Sequence, residues 1–401
     1  MAGNEGPLAG GLRKSVVGVL AGAALIASLT VSSAQAQQAP GVSANRILFG
    51  QAAVLEGPAA PLGTGMRDGI LAAFAEANRA GGVRGRQIEL LARNDGYEPT
   101  QAIRTVRQLI EQDRVFALIG AVGTPTGTAI APITRDAGVP LIGLFTGAEA
   151  LRAPDLRNLV HVRASYFQET EMMVERLTRD LGVTRIGIYY QDDGFGRAGL
   201  TGIQQALARR QMALVGEATF ERNTTAVKLP LLLLREARPQ AIVIISAPAP
   251  SAAIIRAARE IALDATIFNI SFVGSDALAA AAGPAGVDTF ITQVVPLPTD
   301  TSIPLVARYQ AALAAAVPNA QPGFVSLEGY ITGRVALAAL ERITGEPTRQ
   351  ALLAAVAELG RLDLGGLVLT FGQNRVAGSD TVYLTSIAPN ARFRAIETLK
   401  D

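Results

Sequence analysis

Residues 115–145 read VFALIGAVGTPTGTAIAPITRDAGVPLIGLF. An apolar run leads into a turn of glycines and threonines (GTPTGT, 123–128), then a helical stretch, then a second apolar run, VPLIGLF. Short apolar runs on either side of a helix are the pattern of two parallel strands with a crossover, because a strand buried on both faces loses its polar alternation. The pattern continues upstream. Strands are predicted over 47–55 (ILFGQAAVL) and 88–93 (IELLAR), with helices over 64–80 and 100–113. In the first helix Ile70, Ala73, Phe74 and Ala77 recur at the spacing of one helix face, and Gly81-Gly82 supplies the stop.

A second series starts near residue 160. Helices are predicted over 168–182 and 251–262, and strands over 184–190, 214–220, 240–246 and 268–275 (FNISFVGS). The segment AVKLPLLLLREARP (226–239) reads as a helix with a proline inside. A long helical pattern (326–345) and two β-like runs, LVLTF and VYLTSI, complete the chain. The fold class is therefore α/β, with parallel sheets covered on both faces in two lobes of roughly 120–130 residues. A length of 401 residues, 49% of them apolar, suits two cores better than one.

Composition removes several chemistries. There is no cysteine, and His161 is the sole histidine, which excludes thiolate catalysis, Cys-ligated zinc and most Ser-His-Asp designs. Net charge is +2, Trp is absent and aromatics are 5%, so no nucleic-acid partner is expected. GTPTGT lacks the spacing and the lysine of a polyphosphate loop, and no G-x-S-x-G elbow occurs. No cofactor, no metal and no enzyme activity are expected.

Arg13-Lys14 precede the apolar run 15–31, which ends in SSAQAQ with an A-x-A site at Ala34-Gln35-Ala36. A run of about 20 apolar residues can also span a bilayer. Its Ala, Gly and Ser content, followed at once by small residues, favours a signal peptide over 1–36, cleaved after about Ala36, and a periplasmic protein.

Open α/β sheets bind ligands beyond the carboxyl ends of their strands. At one such end, GTPTGT offers free N–H groups and hydroxyls at a helix start, which favours an anion by roughly 0.3–1 kcal/mol. Thr124, Thr126 and Thr128 read alternatively as simple N-caps. Asp192-Asp193 reads as a helix cap rather than a metal site. Tyr97, Tyr166 and Phe195 stand in loops at strand ends, as pocket walls or as core. Asp276, in the turn GSDALA, reads either as the partner of a ligand ammonium or as a helix cap.

Four stretches carry a resemblance: GPAAPLGTGMRDGILAAFAEANRAGGVRGRQIEL (57–90), LIGAVGTPTGTAIAPITRDAGVPLIGLFTGAEALR (118–152), YYQDDGFGRAGL (189–200) and SFVGSDAL (271–278). In this order and spacing the chain resembles the periplasmic solute-binding proteins of ABC transporters, of the leucine/isoleucine/valine-binding type, from about Ile47 to Ile396. The resemblance implies a type I periplasmic-binding fold: two Rossmann-like lobes joined by three hinge crossovers, near His161–Arg163, Gln293–Leu297 and Thr370–Gly372. Residues 46–162 and 297–370 would form lobe one, and 163–296 and 371–401 lobe two. It also implies a monomer that delivers an amino acid or related small carboxylate to a membrane permease. A ligand-sensing role beside a receptor, or a hydrolase, are the alternatives.

For the site, the resemblance implies that Thr124 with Gly123, and the loop Phe145-Thr146-Gly147, hold the ligand carboxylate. Phe195 matches the family's second-lobe aromatic, and Asp276 its ammonium-binding acid. Phe324 stands at another apolar contact of the pocket. Leu62 replaces an aromatic wall, and Gly123 leaves room beside the side-chain pocket. Asp276 is one methylene shorter than the glutamate often found, so a branched-chain amino acid is one candidate, and an aromatic or other organic acid another.

Overall fold

Every apolar run of the first series becomes a strand of one parallel sheet in the computed structural model, which describes residues 39–400. The expected signal peptide over 1–36 lies outside the described residues. The chain runs β1 (Arg46–Ala53), α1 (Ala60–Arg79), β2 (Gln87–Asn94), α2 (Pro99–Arg107), β3 (Ala117–Ile119), α3 (Thr124–Asp136), β4 (Leu141–Ile142) and β5 (Leu159–Val160). The strand order is β2-β1-β3-β4-β5, all parallel.

The second series follows with α4 (Tyr166–Leu181), β6 (Ile186–Gln191), α5 (Gly194–Ala208), β7 (Gly216–Phe220), α6 (Lys228–Glu236), β8 (Ala241–Ile245), α7 (Pro248–Glu260), β9 (Thr266–Asn269), α8 (Ser275–Ala282) and β10 (Phe290–Gln293). Its order, β7-β6-β8-β9-β10, repeats that of the first sheet. In both sheets the order turns back beside the opening strand, so a crevice forms beyond the carboxyl ends of β1 and β3, and again beyond β6 and β8.

The chain then returns to the first sheet's side through α9 (Pro304–Ala316), α10 (Phe324–Arg342) and α11 (Arg349–Glu358). Helix α10 lies directly on α1: a Cβ on Gly69 would come within 1.9 Å of Ser326 O, so glycine is what permits the approach. A ribbon of β11 (Arg361–Asp363) and β12 (Val368–Thr370) leads to β13 (Tyr383–Ala388) and β14 (Arg392–Ala395). Strand β13 pairs antiparallel with β10, and β14 with β13, extending the second sheet to seven strands.

Three connections thus run between the sheets: after β5, after β10 and before β13. The first and third are stitched together at His161, whose N–H donates to Val376 O (2.7 Å) and whose carbonyl accepts from Gly378 N–H (2.8 Å). The His161 ring is fully buried and donates through Nε2 to Leu151 O (2.9 Å). Burial holds its pKa down to about 3, so it is a neutral, structural imidazole.

Two local readings change. The expected strand FNISFVGS stops at Asn269, and Ser271–Val273 form a short 3₁₀ turn. The cause is Glu169, whose carboxylate accepts the Ser271 N–H (2.9 Å) and hydroxyl (2.9 Å) in place of a ladder partner. Helix α6 starts only at Lys228, which puts Pro230 in the first turn, where a missing N–H costs no intrahelical bond.

Candidate functional site

The turn after β3 is built on Gly123, at φ 102°, whose N–H donates to Phe145 O (3.1 Å). That bond ties the β3–α3 turn to the loop after β4. None of the three threonines is a side-chain cap: Gly123 occupies the N-cap position. Thr126 turns its hydroxyl back onto Val122 O and Gly123 O, and Thr128 is exposed. The Thr124 hydroxyl instead stands 2.6 Å from that of Thr146. Thr146 Oγ1 also accepts from Ala148 N–H (3.2 Å) and lies 3.3 Å from Tyr166 OH. Pro125 has no N–H, so Thr124 and Thr126 present the unpaired amides of the first turn. Three linked hydroxyls and two amides form an uncharged donor cluster, a chemistry that suits a carboxylate better than a polyphosphate.

Around this cluster stand five buried rings. Tyr97 is held in a left-handed turn (φ 59°), its N–H donating to Asp95 Oδ1 (2.9 Å). Its ring covers Gly123 so closely that a Cβ there would lie 2.2 Å from Cε2. Gly147 similarly admits the Tyr166 ring, 2.6 Å from where a Cβ would sit. Phe272 is the centre: its ring centroid is 4.5 Å from Phe195, 5.3 Å from Phe145 and 6.0 Å from Tyr97, while Tyr166 lies 5.5 Å from Phe195. Tyr97 and Phe145 come from first-sheet loops, Phe195 from the first turn of α5 and Phe272 from the 3₁₀ turn after β9 on the second-sheet side, and Tyr166 from the start of α4. The structure thus brings together Tyr97, Gly123, Thr124, Phe145, Thr146, Gly147, Tyr166 and Phe195.

Sequence reasoning missed Phe272, because FNISFVGS read as strand to its end. Its one signal was an aromatic just before the glycine-serine turn that closes the strand. Gln191 was missed too. It is fully buried at the end of β6 and donates to Tyr97 OH (3.3 Å) and Asp193 Oδ2 (2.6 Å). Asp193 caps α5 by accepting the Phe195 N–H (2.9 Å). It also accepts from Arg222 (3.0 Å), which reaches Glu98 on the first-sheet side (2.8 Å).

Asp276 and Phe324 require a correction. They do not join the rings; they meet each other. Asp276 Oδ2 accepts the Phe324 N–H (3.0 Å) at the start of α10, because α8 aims its first turn at that helix end. Burial pushes the carboxyl up to about 6. The Phe324 ring packs edge-on against Phe393 (5.2 Å), and Asp276 lines a separate cleft of about 250 Å³ with Asp68 and Gly323. Leu62 packs under Gly274, near that cleft.

Behind the donor cluster lies a buried charge network. The Arg163 guanidinium sits 4.8 Å from the Phe145 ring centroid and 5.8 Å from that of Tyr166. It pairs with Glu169 on α4 (3.3 Å) and Glu328 on α10 (3.5 Å). Burial pulls the guanidinium pKa down, and the two carboxylates more than offset this. Glu169 also accepts from Thr292 (2.6 Å). Burial raises Glu328 to about 7, with Arg163 opposing, and pushes the Tyr166 phenol up to about 12, so that hydroxyl stays a neutral donor.

Among the described residues no group of His, Cys, Asp or Glu could hold a metal, and no helix is long and apolar enough to cross a membrane. A family model described as periplasmic binding protein matches residues 47–392. The chain is 26% identical over 361 residues to Leu/Ile/Val-binding protein homolog 7 of Brucella abortus (strain 2308), covering 84% of this chain and 88% of that protein. The solved structure of a "possible leucine/isoleucine/valine-binding protein" from Rhodopirellula baltica SH 1 superposes with a TM-score of 0.85 at 36% identity, over 90% of this chain and 98% of that one. A substrate-binding periplasmic protein from Ralstonia solanacearum matches with a TM-score of 0.83 at 29% identity, over 87% and 100%.

Proposed function

We propose that this chain, which belongs to the periplasmic binding protein family, is the extracytoplasmic substrate-binding component of an ABC importer, and that it carries an amino acid or related small carboxylate between its two sheets. The family is one of binding proteins, not enzymes, and places the protein outside the cytoplasm. The observation that carries the ligand reading is the contact of Thr124 and Thr146 hydroxyls at the start of α3, continued by Tyr166 OH and walled by rings from both sheets.

The mechanism follows from which sheet supplies which group. A carboxylate docks on the first-sheet loops, at Thr124, Thr146 and the adjoining amides. The second sheet then closes, bringing Phe195 and Phe272 onto the ligand body, and a monomer in this closed form is what a permease engages. Ligand shifts the open–closed balance only by its greater affinity for the closed state.

A thermal-shift screen of the exported form against amino acids, aromatic acids and aliphatic carboxylates tests this. Ligand at 100 times its Kd stabilises the fold by about 2.7 kcal/mol, a clear rise in Tm. Stabilisation by neutral sugars or polyamines alone, with no carboxylate active, would sink the reading.

A further inference from the structure

A cavity of about 670 Å³ lies beside the hinge, lined by none of the five rings and none of the donor cluster. Its walls are the 3₁₀ turn Glu149–Arg152, the first turns of α4, the end of α5 and the third connection between the sheets. That volume is within the range of small-molecule sites. Most charges on the wall are matched. Arg375 donates to Asp380 (2.6 Å), Arg210 to Glu171 (2.7 Å) and Arg179 to Glu175 (2.7 Å), and Arg209 also holds Glu171. Arg152 and Glu149 are the exceptions. Arg152 Nη2 donates only to the backbone carbonyls of Arg163 (3.1 Å) and Ala164 (3.2 Å), and its Nε is buried with no acceptor. Among the described residues no carboxylate comes within ion-pair distance of this guanidinium, and Glu149 makes no hydrogen bond or ion pair of its own.

The two residues stand three apart in a 3₁₀ turn, a spacing that puts both on one face. Burial pulls the Arg152 guanidinium down to about 10 and the Glu149 charge opposes this, so it remains a cation at neutral pH. One cavity thus holds an unmatched cation and an unmatched anion side by side, and a buried donor left without an acceptor carries a desolvation penalty that a matching ligand group removes. A lone anion on Arg152 is opposed by Glu149, and a lone cation on Glu149 by Arg152. Only a molecule with both charges answers both. We infer that this cavity is a second ligand site, which takes a small zwitterion of the aliphatic α-amino acid class. Its carboxylate accepts from Arg152, its ammonium faces Glu149, and its side chain lies against Phe167, Met172 and Val382, the apolar part of the wall. The inference goes beyond the carboxylate site between the sheets and does not depend on it.

The chain contains no tryptophan, so Phe167→Trp puts a single fluorescent reporter in the wall of this cavity. Its emission is titrated with L-leucine, with 4-methylpentanoate, which lacks the ammonium, and with 3-methylbutylamine, which lacks the carboxylate. L-leucine gives a saturable change at a midpoint at least about tenfold below that of either analogue. In the same background Arg152→Gln raises the L-leucine midpoint about tenfold or more, and Glu149→Gln raises it about twofold to fivefold. Thr124→Ala, between the sheets, leaves it unchanged. Thermal melts confirm that each variant folds; Met172→Trp replaces the reporter if Phe167→Trp does not, and Glu149→Gln carries the comparison if Arg152→Gln does not. A midpoint that follows Thr124→Ala and ignores Arg152→Gln means that the tryptophan reports closure over the other site, which overturns this inference and supports the function proposed above. Equal midpoints for L-leucine and 4-methylpentanoate overturn the zwitterion reading, as does a response untouched by both Arg152→Gln and Glu149→Gln. No saturable response at either reporter position overturns the second site, and leaves the function proposed above to its own screen.

Discussion

The hydroxyl oxygens of Thr124 and Thr146 stand 2.6 Å apart although 22 positions separate them in the chain. Only the parallel neighbourhood of β3 and β4 brings these residues together, next to the β1–β3 crevice where the sheet order turns back. In this pair one hydroxyl donates to the other, and an arriving carboxylate accepts a hydrogen bond from each. A hydrogen bond to a charged group is worth roughly 1.5–3 kcal/mol. Thr124→Ala is therefore expected to raise Kd for the cognate carboxylate by about tenfold to somewhat over a hundredfold. Thr124→Ser, which keeps the hydroxyl, recovers most of the affinity in the same titration. Equal affinities for the wild type and Thr124→Ala would remove the residue from the site.

Gly123→Ala tests the packing behind that pair. A Cβ there would meet Tyr97 Cε2 at 2.2 Å, and the φ of 102° is itself unfavourable for alanine. The Tyr97 ring has to leave, taking its contact with Gln191 along. We expect a loss of affinity of at least tenfold and a lower Tm, with the double variant Gly123→Ala/Tyr97→Ala recovering Tm in part but not affinity. A Gly123→Ala protein with native affinity would mean that the ring is free to move.

Much of this architecture was legible in the chain, and the gaps have definite causes. Strand and helix alternation in 115–145 declared the parallel sheet, because strands buried on both faces have little choice of composition. The loops holding Thr124, Thr146, Tyr97 and Phe195 followed from where strands end. Phe272 escaped because a carboxylate on α4, 102 positions away, breaks the end of its strand, and no local pattern announces such a partner. Asp276 misled for a related reason. An acid in a small-residue turn looks alike whether it faces a ligand or the start of a helix at Gly323–Phe324.

Arg163 is expected to be indispensable to the fold between the sheets. It is fully buried, pairs with Glu169 and Glu328, and lies over Phe145. Removing one member of a buried ion network strands the others, at a cost of about 3–5 kcal/mol. Arg163→Ala should lose stability on that scale in urea unfolding. Arg163→Lys restores only part of it, because an ammonium cannot face both carboxylates in one plane. A loss under about 1 kcal/mol for Arg163→Ala would show that water or a rearranged side chain takes over the role.

Glu328 gives that network a pH dependence with a definite sign. Burial raises its carboxyl to about 7, against 4.5 for the free group, although Arg163 opposes the shift. Between those values the folded chain holds a proton that the unfolded chain has released. The stability linked to Glu328 is therefore complete below about pH 4.5 and is lost as pH rises through 7, at a slope of up to about 1.4 kcal/mol per unit. Asp95, raised by burial to about 6, adds to this trend. His161 opposes it: with its pKa held down to about 3, the contribution of the neutral ring is present above about 6.5 and lost as the medium is acidified. Glu328→Gln isolates the first effect, since the amide resembles the protonated carboxyl. The stability of E328Q minus that of the wild type should be close to zero near pH 4.5 and grow in favour of the variant up to about pH 8. Urea unfolding at half-unit steps of pH measures the difference directly. A flat difference across that range would mean that Arg163 holds Glu328 ionised throughout, and that its attraction outweighs the burial of the carboxyl.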